Sequence, residues 1–275
     1  MPEGDTIFRA ARTLHLALAG TPVTRFETVL PALQRVHDDR PIVGRTVDGV
    51  RAVGKHLLME FSGGLVLRTH MRMNGSWHVY RPGERWQRAR AAMRIVVGNA
   101  DYVAVAFEVP VAEFFSARDV GRHRELATLG PDLLAGNVDV SAVVARLRER
   151  ATVAVADALL DQRMASGVGN VFKSEVLFVC GIDPFRAVAT LSDDEARRVV
   201  ETSRELLHAN VIDADRTGAP EWGGWRRTTR RLDPAARLWV YGRAGKPCRN
   251  CGIPVASRKQ GPGARLTYWC PRCQV

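Results

Sequence analysis

LLDQRMASGVGNVFKSEVLF, residues 159–178, joins two helical segments through a turn rich in glycine. Apolar residues at helical spacing predict helices over roughly 152–161 and 171–180 on either side of the turn. Asn170 stands where the second helix starts, a position at which asparagine is a favoured N-cap. A helix N-terminus behind a glycine-rich turn can bind an anion. Many helical hairpins, however, use glycine and asparagine only to turn.

The sequence pattern differs between the two sides of this hairpin. Helical periodicity continues at about 139–149 and 192–210. From about 22 to 115, short apolar runs are separated by Gly, Pro and Asn, which predicts the strands of a sandwich or barrel. Residues 4–19 predict an amphipathic helix before those strands. We place the boundary between the strand-rich and the helix-rich parts of the chain within 117–137.

Four of the five cysteines lie close together near the C-terminus, where they spell C-x2-C-x18-C-x2-C. Two such pairs supply the four soft ligands that tetrahedral zinc prefers. A redox pair also has the form Cys-x-x-Cys, but two copies at this separation favour structural zinc. The predicted ligands are Cys248, Cys251, Cys270 and Cys273. Cys180 follows an apolar run and is predicted to be an inert buried thiol.

The net charge of +11 is concentrated at one end of the chain. The stretch from Arg216 to Val275 holds thirteen of the 40 basic residues and two of the 29 acidic ones, and the rest of the chain is neutral. Such a block is typical of proteins that bind nucleic acid, and a solvated basic tail is the alternative. We see no apolar run long enough to span a bilayer and no secretory signal, so we expect a cytoplasmic protein with no membrane partner.

Two positions near the N-terminus could carry amine chemistry. Removal of Met1 would leave Pro2 as a secondary amine able to form a Schiff base with an aldehyde. The adjoining helix N-terminus should lower the pKa of that amine, and Glu3 could move protons at the same carbon. Lys55 is one of only four lysines beside 36 arginines, and an ammonium, unlike a guanidinium, can lose its proton. Read alone, Lys55 is equally a surface turn residue, and the Met-Pro-Glu start is unremarkable.

Together, seven blocks in order resemble the formamidopyrimidine-DNA glycosylase/endonuclease VIII family, and the resemblance spans nearly the whole chain. The blocks are MPEG at 1–4, GKHLL at 54–58, HMRMNGSW at 70–77, LATLGPDLL at 126–134, LLDQRMASGVGNVFKSEVLF at 159–178, VYGRAGKPCRNCG at 240–252 and ARLTYWCPRCQ at 264–274.

The resemblance implies an α+β fold. It consists of an N-terminal β-sandwich with a flanking helix, then a helical domain with a helix–two-turn–helix motif, and a C-terminal β-hairpin zinc finger. The corresponding domains are 1–125, 126–235 and 236–275. It also implies one structural zinc ion and a monomer that binds damaged double-stranded DNA and abasic-site DNA in a cleft between domains.

The same resemblance assigns roles to individual residues. Pro2 attacks C1′ of the damaged nucleotide, and Glu3 handles protons at the sugar. Lys55 lies near a flanking phosphate and assists departure of the base. Asn170 and Arg265 bind the phosphates on either side of the lesion. In the same comparison, Met73 is the apolar wedge that fills the hole left by the flipped base, with ordinary strand packing as the alternative.

Two departures from the oxidised-purine branch point to the endonuclease VIII-like branch. The chain begins PEGDT rather than PELPE, and residues 108–123 lack the D-x-R-R-F-G block that contacts the orphaned base. We therefore expect a bifunctional glycosylase/lyase that removes mainly oxidised pyrimidines and cleaves the strand by β,δ-elimination. Arg72 is a candidate replacement for the missing block, and Trp222 and Trp225 are candidate contacts to the flipped base.

Two alternatives remain open. One is an oxidised-purine glycosylase of the same family. The other is a zinc-dependent protein that binds damaged DNA without catalysis, which a retained Met1 would favour because Pro2 would then be an amide.

Overall fold

The structure, a computed structural model, describes residues 2–216, 226–229, 231 and 233–275. The chain divides into two compact units, the first running to Thr128 and the second beginning at Leu129. None of the described helices is long and apolar enough to cross a membrane. Met1, Trp222 and Trp225 lie outside the described residues.

The first unit is a helix-flanked β-sandwich, as predicted. Helix α1 (Gly4–Leu18) precedes two antiparallel sheets of four strands each. The strands are β1 (Arg25–Thr28), β2 (Val47–Val53), β3 (His56–Phe61), β4 (Leu65–His70), β5 (Ser76–Tyr80), β6 (Met93–Gly98), β7 (Val103–Phe107) and β8 (Val111–Ser116). Their order is β1-β6-β7-β5 in one sheet and β2-β3-β4-β8 in the other.

One apolar core joins the two sheets and α1. The helix contributes Ile7 and Leu14, one sheet contributes Leu57 and Met59, and the other contributes Trp77, all of them buried. This arrangement follows from pattern, because apolar residues at helical spacing line one face of α1 while alternate strand residues point inward. Gly20, with a φ of 77°, follows the helix where the sequence predicts its end.

A second helix in this unit, α2 (Pro31–Asp39), was not predicted. Its sequence PALQRVHDD contributes only Leu33 to the buried side of the helix, so it lacks a strong apolar stripe. The signal that could have revealed it is Pro31 in the first turn, where proline's missing N–H costs nothing.

The second unit contains the predicted helices and hairpin. The helices are α3 (Val140–Arg148), α4 (Val155–Leu160), α5 (Asn170–Cys180) and α6 (Asp193–Arg216). Strands β9 (Ala256–Gln260) and β10 (Arg265–Trp269) form the C-terminal hairpin. Short 3-10 helices occur at Arg90–Ala92 and Ala117–Arg122 in the first unit and at Val188–Thr190 and Pro234–Ala236 in the second. The α+β fold expected from the sequence is confirmed.

Candidate functional site

The N-terminal residues lie at the positive end of a helix. Glu3 is the N-cap residue of α1, and its carbonyl oxygen accepts the N–H groups of Thr6 at 3.0 Å and Ile7 at 3.1 Å. Its side chain is 0% exposed, whereas Pro2 directly before it is half-buried. A helix N-terminus stabilises negative charge, so the fold keeps a buried carboxylate beside the predicted amine.

Lys55 occupies a two-residue turn between β2 and β3. Val53 and His56 pair across the strands, which leaves Gly54 and Lys55 as the connection. Gly54 has a φ of 57°, a conformation that glycine adopts without steric cost. The tight hairpin therefore fixes the backbone of Lys55, whose side chain is half-buried.

His70, at the end of β4, is a candidate site residue that the sequence analysis missed. Burial, followed by the positive charges of Arg72 and Lys55, lowers the pKa of His70 to about 4. The backbone N–H of Arg72 donates to Nδ1 of His70 at 3.0 Å. The ring is therefore neutral at pH 7 and carries its proton on Nε2, where it can donate a hydrogen bond. Its position at the start of the HMRMNGSW block is the feature of the sequence that could have identified it as a site residue.

Met73 lies in a tight turn after β4. Met73 is 53% exposed, and its neighbours Arg72 and Asn74 are exposed as well, so the tip of the turn presents an apolar side chain to solvent. The turn closes with a hydrogen bond of 2.9 Å from Gly75 N–H to the Met71 carbonyl. A Cβ at Gly75 would lie 2.6 Å from that same oxygen, so the turn requires glycine there.

The predicted N-cap role of Asn170 is wrong. Gly169 is the N-cap residue of α5, and Asn170 is the first residue of the helix. The Asn170 Nδ2 instead donates to the Leu266 carbonyl, 96 positions along the chain, at 2.9 Å. Its Oδ1 accepts from Nζ of Lys173, one turn further along the same helix, at 2.8 Å. Asn170 thus ties the helix to the C-terminal hairpin, a contact that local sequence cannot reveal.

Lys173 is the second functional candidate that was missed. It is 0% exposed, and its ammonium donates to both Asn170 Oδ1 and Thr267 Oγ1, each at 2.8 Å. A buried ammonium requires such compensation. It places a positive charge behind residues 167–170 (the GVGN turn), within the same unit as the basic C-terminal stretch.

Arg265, the first residue of β10, is exposed and pairs across the hairpin with Gln260. Its strand neighbour Leu266 accepts the bond from Asn170. The structure therefore brings together the GVGN turn and the hairpin residue that the family comparison assigns to phosphate binding.

The four predicted zinc ligands form a single cluster. The sulfur atoms of Cys248, Cys251, Cys270 and Cys273 all lie within 4.8 Å of one another. The separation is 3.4 Å for Cys251–Cys270 and 3.9 Å for Cys248–Cys273. Tetrahedral zinc with Zn–S bonds of about 2.3 Å places its sulfurs roughly 3.8 Å apart, so the cluster fits the ion.

Hydrogen bonds around the cluster also suit thiolate ligands. The backbone N–H of Ile253 lowers the pKa of Cys251 to about 7, whereas burial raises the pKa of Cys270 and that of Cys273, so these two thiols need the positive charge of the metal to ionise. Asn250 donates its backbone N–H to Cys248 Sγ and its side-chain Nδ2 to Cys273 Sγ, each at 3.4 Å. Outer hydrogen bonds of this kind orient metal ligands.

Cys180 is not a member of this cluster. It is buried, its thiol lies 3.5 Å from Thr202 Oγ1, and burial raises its pKa. This agrees with the inert thiol expected from the sequence.

Three segments of the chain match known protein families. Residues 1–113 match the formamidopyrimidine-DNA glycosylase N-terminal domain, residues 129–220 match its H2TH domain, and residues 245–275 match a zinc finger found in FPG and IleRS. The last match and the sulfur geometry together make the four cysteines a structural zinc site.

Relatives align along the full chain. The probable endonuclease 8 2 of Streptomyces coelicolor is 43% identical over 100% of this chain and 94% of its own length. A DNA-(apurinic or apyrimidinic site) lyase Nei2 of Mycolicibacterium smegmatis is 36% identical over 100% of this chain and 99% of its own length. The formamidopyrimidine-DNA glycosylase of Rhodopseudomonas palustris is 31% identical over 100% of both chains.

The fold is also that of a solved structure. Lactococcus lactis Fpg, determined in complex with DNA containing an abasic site, superposes with a TM-score of 0.83 over 100% of both chains at 22% identity. Together with the matches along the sequence, this shows that the chain belongs to the formamidopyrimidine-DNA glycosylase/endonuclease VIII family, whose members are DNA glycosylases and abasic-site lyases.

Proposed function

We propose that this protein is a bifunctional base-excision enzyme that removes oxidised pyrimidines from duplex DNA and then cleaves the strand at the abasic site. The observation that carries the proposal is the fully buried Glu3 carboxylate at the head of α1, directly after Pro2. An amine followed by a buried acid or base is what Schiff-base chemistry at a sugar carbon requires.

In the proposed reaction, the Pro2 nitrogen, freed by removal of Met1, forms a bond to C1′ as the glycosidic bond breaks. The base leaves with the bonding electrons and takes up a proton. The Pro2 nitrogen then gives up its proton, and Glu3 delivers a proton to the ring oxygen, so that the C1′–O4′ bond breaks and the sugar opens to an iminium ion on Pro2. This cation acidifies the C2′ proton, whose loss expels the 3′ phosphate by β-elimination, and a second elimination expels the 5′ phosphate.

Four residues are proposed to hold the DNA for this chemistry. Lys55 approaches a phosphate beside the lesion, with the neutral His70 ring next to it as a further donor. Asn170 and Arg265 contact phosphates from the second unit, where their elements are bonded together. Because the basic excess lies in the C-terminal stretch, affinity should fall steeply as salt rises.

Met73 is proposed as the wedge. An enzyme that attacks C1′ must take the damaged base out of the stack and fill the gap that it leaves. An exposed apolar side chain on a tight turn is suited to that insertion.

We assign the amine chemistry to residues 1–125, the helix–two-turn–helix contact to 126–235 and the zinc hairpin to 236–275. The zinc ion, held by Cys248, Cys251, Cys270 and Cys273, shapes the hairpin and takes no part in the reaction. We expect the enzyme to work as a monomer in the cytoplasm, where its DNA is.

The choice of oxidised pyrimidines rests on branch features. The PEGDT start and the lack of a D-x-R-R-F-G block separate the chain from the oxidised-purine branch. Two relatives named endonuclease 8 2, at 43% and 36% identity, are also more similar to this chain than the formamidopyrimidine-DNA glycosylase at 31%, whereas relatives named endonuclease 8 are 30–31% identical.

A lesion panel tests this choice. Matched duplexes that contain thymine glycol, 5-hydroxycytosine or 8-oxoguanine are incubated with enzyme whose Pro2 amine has been verified by mass spectrometry. We expect the two pyrimidine lesions to be cut fastest. Cutting of the 8-oxoguanine duplex alone would establish the purine alternative, and cutting of none, with tight binding retained, would establish the non-catalytic alternative.

A further inference from the structure

The turn that carries Met73 has a strained backbone. Arg72 has a φ of 49°, a left-handed conformation that a non-glycine residue rarely adopts. Three non-glycine residues in the described ranges have a positive φ, and the other two are Glu108 and Ala264. Strain of this kind is concentrated at functional sites, where the surrounding structure has to maintain it.

The second strained residue lies at the end of β7, on the segment that leads to β8. Glu108 also has a φ of 49°, and its backbone N–H donates to the Ala92 carbonyl at 2.8 Å. It begins the region, 108–123, in which the oxidised-purine branch has the block that this chain lacks. Both strained residues therefore lie in the segments expected to approach the base opposite the lesion.

Arg88 connects these two segments. Its Nη1 donates to the carbonyl oxygen of Asn74, within the Met73 turn, at 3.4 Å, and it forms an ion pair with the Glu108 carboxylate. The side chains of Arg88 and Glu108 are 38% and 45% exposed. A single exposed ion pair contributes little to folding stability. The role of the Arg88–Glu108 pair is therefore to be found in the turn that Arg88 contacts.

The loop that carries Arg88 is itself anchored. Trp86 packs edge-on against Phe107 with ring centroids 5.7 Å apart. The backbone N–H of Gln87 donates to the Tyr80 hydroxyl at 3.1 Å. Because these contacts flank Arg88 on its N-terminal side, the guanidinium is presented from a fixed backbone.

We propose that Arg88 is a positioning residue that, with Glu108, holds the Met73 turn in the shape needed for insertion into duplex DNA. The proposal rests on the proposed function, in which Met73 fills the gap left by the flipped nucleotide. Arg88 acts through the turn and not on the sugar. A substitution at Arg88 should therefore affect the reaction on double-stranded DNA and not the reaction on single strands.

The test compares one abasic oligonucleotide as a duplex and as a single strand. Single-turnover rates of borohydride-trapped adduct are measured for the wild type, Arg88→Met, Arg88→Lys and Glu108→Gln. Arg85→Met is the matched control, because Arg85 is an exposed arginine of the same loop. Thermal melting of each variant is recorded alongside the rates.

We expect Arg88→Met to slow trapping on the duplex roughly tenfold, because the Asn74 carbonyl and the Glu108 carboxylate both lose their charged donor. Glu108→Gln should slow it about threefold, because its amide oxygen still accepts from Arg88 and only the charge of an exposed pair is lost. Trapping on the single strand should change less than about twofold in both variants. Arg88→Lys, which keeps the charge and a donor, should restore much of the duplex rate. Arg85→Met should match the wild type on both substrates.

Equal losses on duplex and single strand would show a general structural role and overturn the proposal, as would unchanged rates on both. Either result leaves the proposed amine chemistry intact. If the wild type forms no adduct on either substrate, the proposed function itself fails, and the role of Arg88 fails with it.

Discussion

The buried ammonium of Lys173 on α5 donates a hydrogen bond of 2.8 Å to Thr267 Oγ1 on β10. With the parallel bond from Asn170 to Leu266, it fastens the helix behind the GVGN turn to the zinc hairpin. The two elements proposed to bind phosphates thus share one polar connection inside the second unit.

Replacing Lys173 tests that connection. Lys173→Met should lower the free energy of unfolding by about 1–3 kcal/mol, because Asn170 Oδ1 loses its charged partner inside the protein. Chemical denaturation of the zinc-loaded protein measures the change. Lys259→Met, which alters an exposed lysine of β9, is the control and should leave stability as it was. A stable Lys173→Met protein with unchanged DNA affinity would contradict this view of the connection.

Zinc content tests the metal site. Native mass spectrometry should find one zinc ion per chain, and Cys273→Ser should lose it together with most of the DNA affinity, because the hairpin depends on all four thiolates. Cys180→Ser supplies a cysteine control and should keep the ion. Retention of zinc by Cys273→Ser would exclude the assigned ligand set.

The buried histidines predict a loss of stability in acid. Burial and the adjacent Arg68 lower the pKa of His56 to about 3, and Arg68 Nε donates to His56 Nδ1 at 3.1 Å. Between about pH 3 and pH 6.5, the unfolded chain, with a histidine pKa near 6.5, therefore binds a proton that the folded chain does not. The free energy of unfolding is highest above about pH 6.5 and decreases as the pH falls towards 3.

By pH 5 the loss from His56 alone should be about 2 kcal/mol, and His70 should add to it. Denaturation curves at pH 7.5 and pH 5 measure the difference. His56→Asn keeps an acceptor for Arg68 but does not titrate, so its stability should change less between the two pH values. An equal drop in wild type and variant would place the acid sensitivity elsewhere.

Glu3 should be required for base removal. Glu3→Gln preserves the shape of a side chain that is 0% exposed, but it cannot exchange protons. We expect excision of thymine glycol to slow by about 10²–10⁴-fold, the usual contribution of a general acid or base. Glu27→Gln, a surface change on β1, is the control. Excision within twofold of the wild type by Glu3→Gln would remove Glu3 from the mechanism.

What the sequence could predict depended on how local the signal was. The spacing of the four cysteines and the apolar stripe on α1 are properties of nearby residues, and the zinc site and the helix predicted from them were confirmed. The glycine-rich turn does precede α5, but the N-cap residue is Gly169 and not the predicted Asn170. The helix α2 carries only one buried apolar residue, Leu33, and was missed for that reason.

Long-range contacts account for the remaining differences. Asn170 was expected to cap its own helix, but its partners are Lys173 and Leu266, and the second lies 96 positions along the chain. Arg88 meets Asn74 and Glu108 only because β5, β6 and β7 are neighbours in the folded chain. From the sequence, such residues can be recognised as polar or charged, but their hydrogen-bond partners can be identified only from the fold.

The attachment point of the trapped DNA tests most directly whether the Pro2 nitrogen is the nucleophile. The borohydride-reduced adduct on abasic DNA is digested, and the modified peptide is sequenced by tandem mass spectrometry. We predict that the sugar remnant is carried on the nitrogen of Pro2 in a chain that has lost Met1. A remnant on Lys55 or any other lysine, with Pro2 unmodified, would contradict the account.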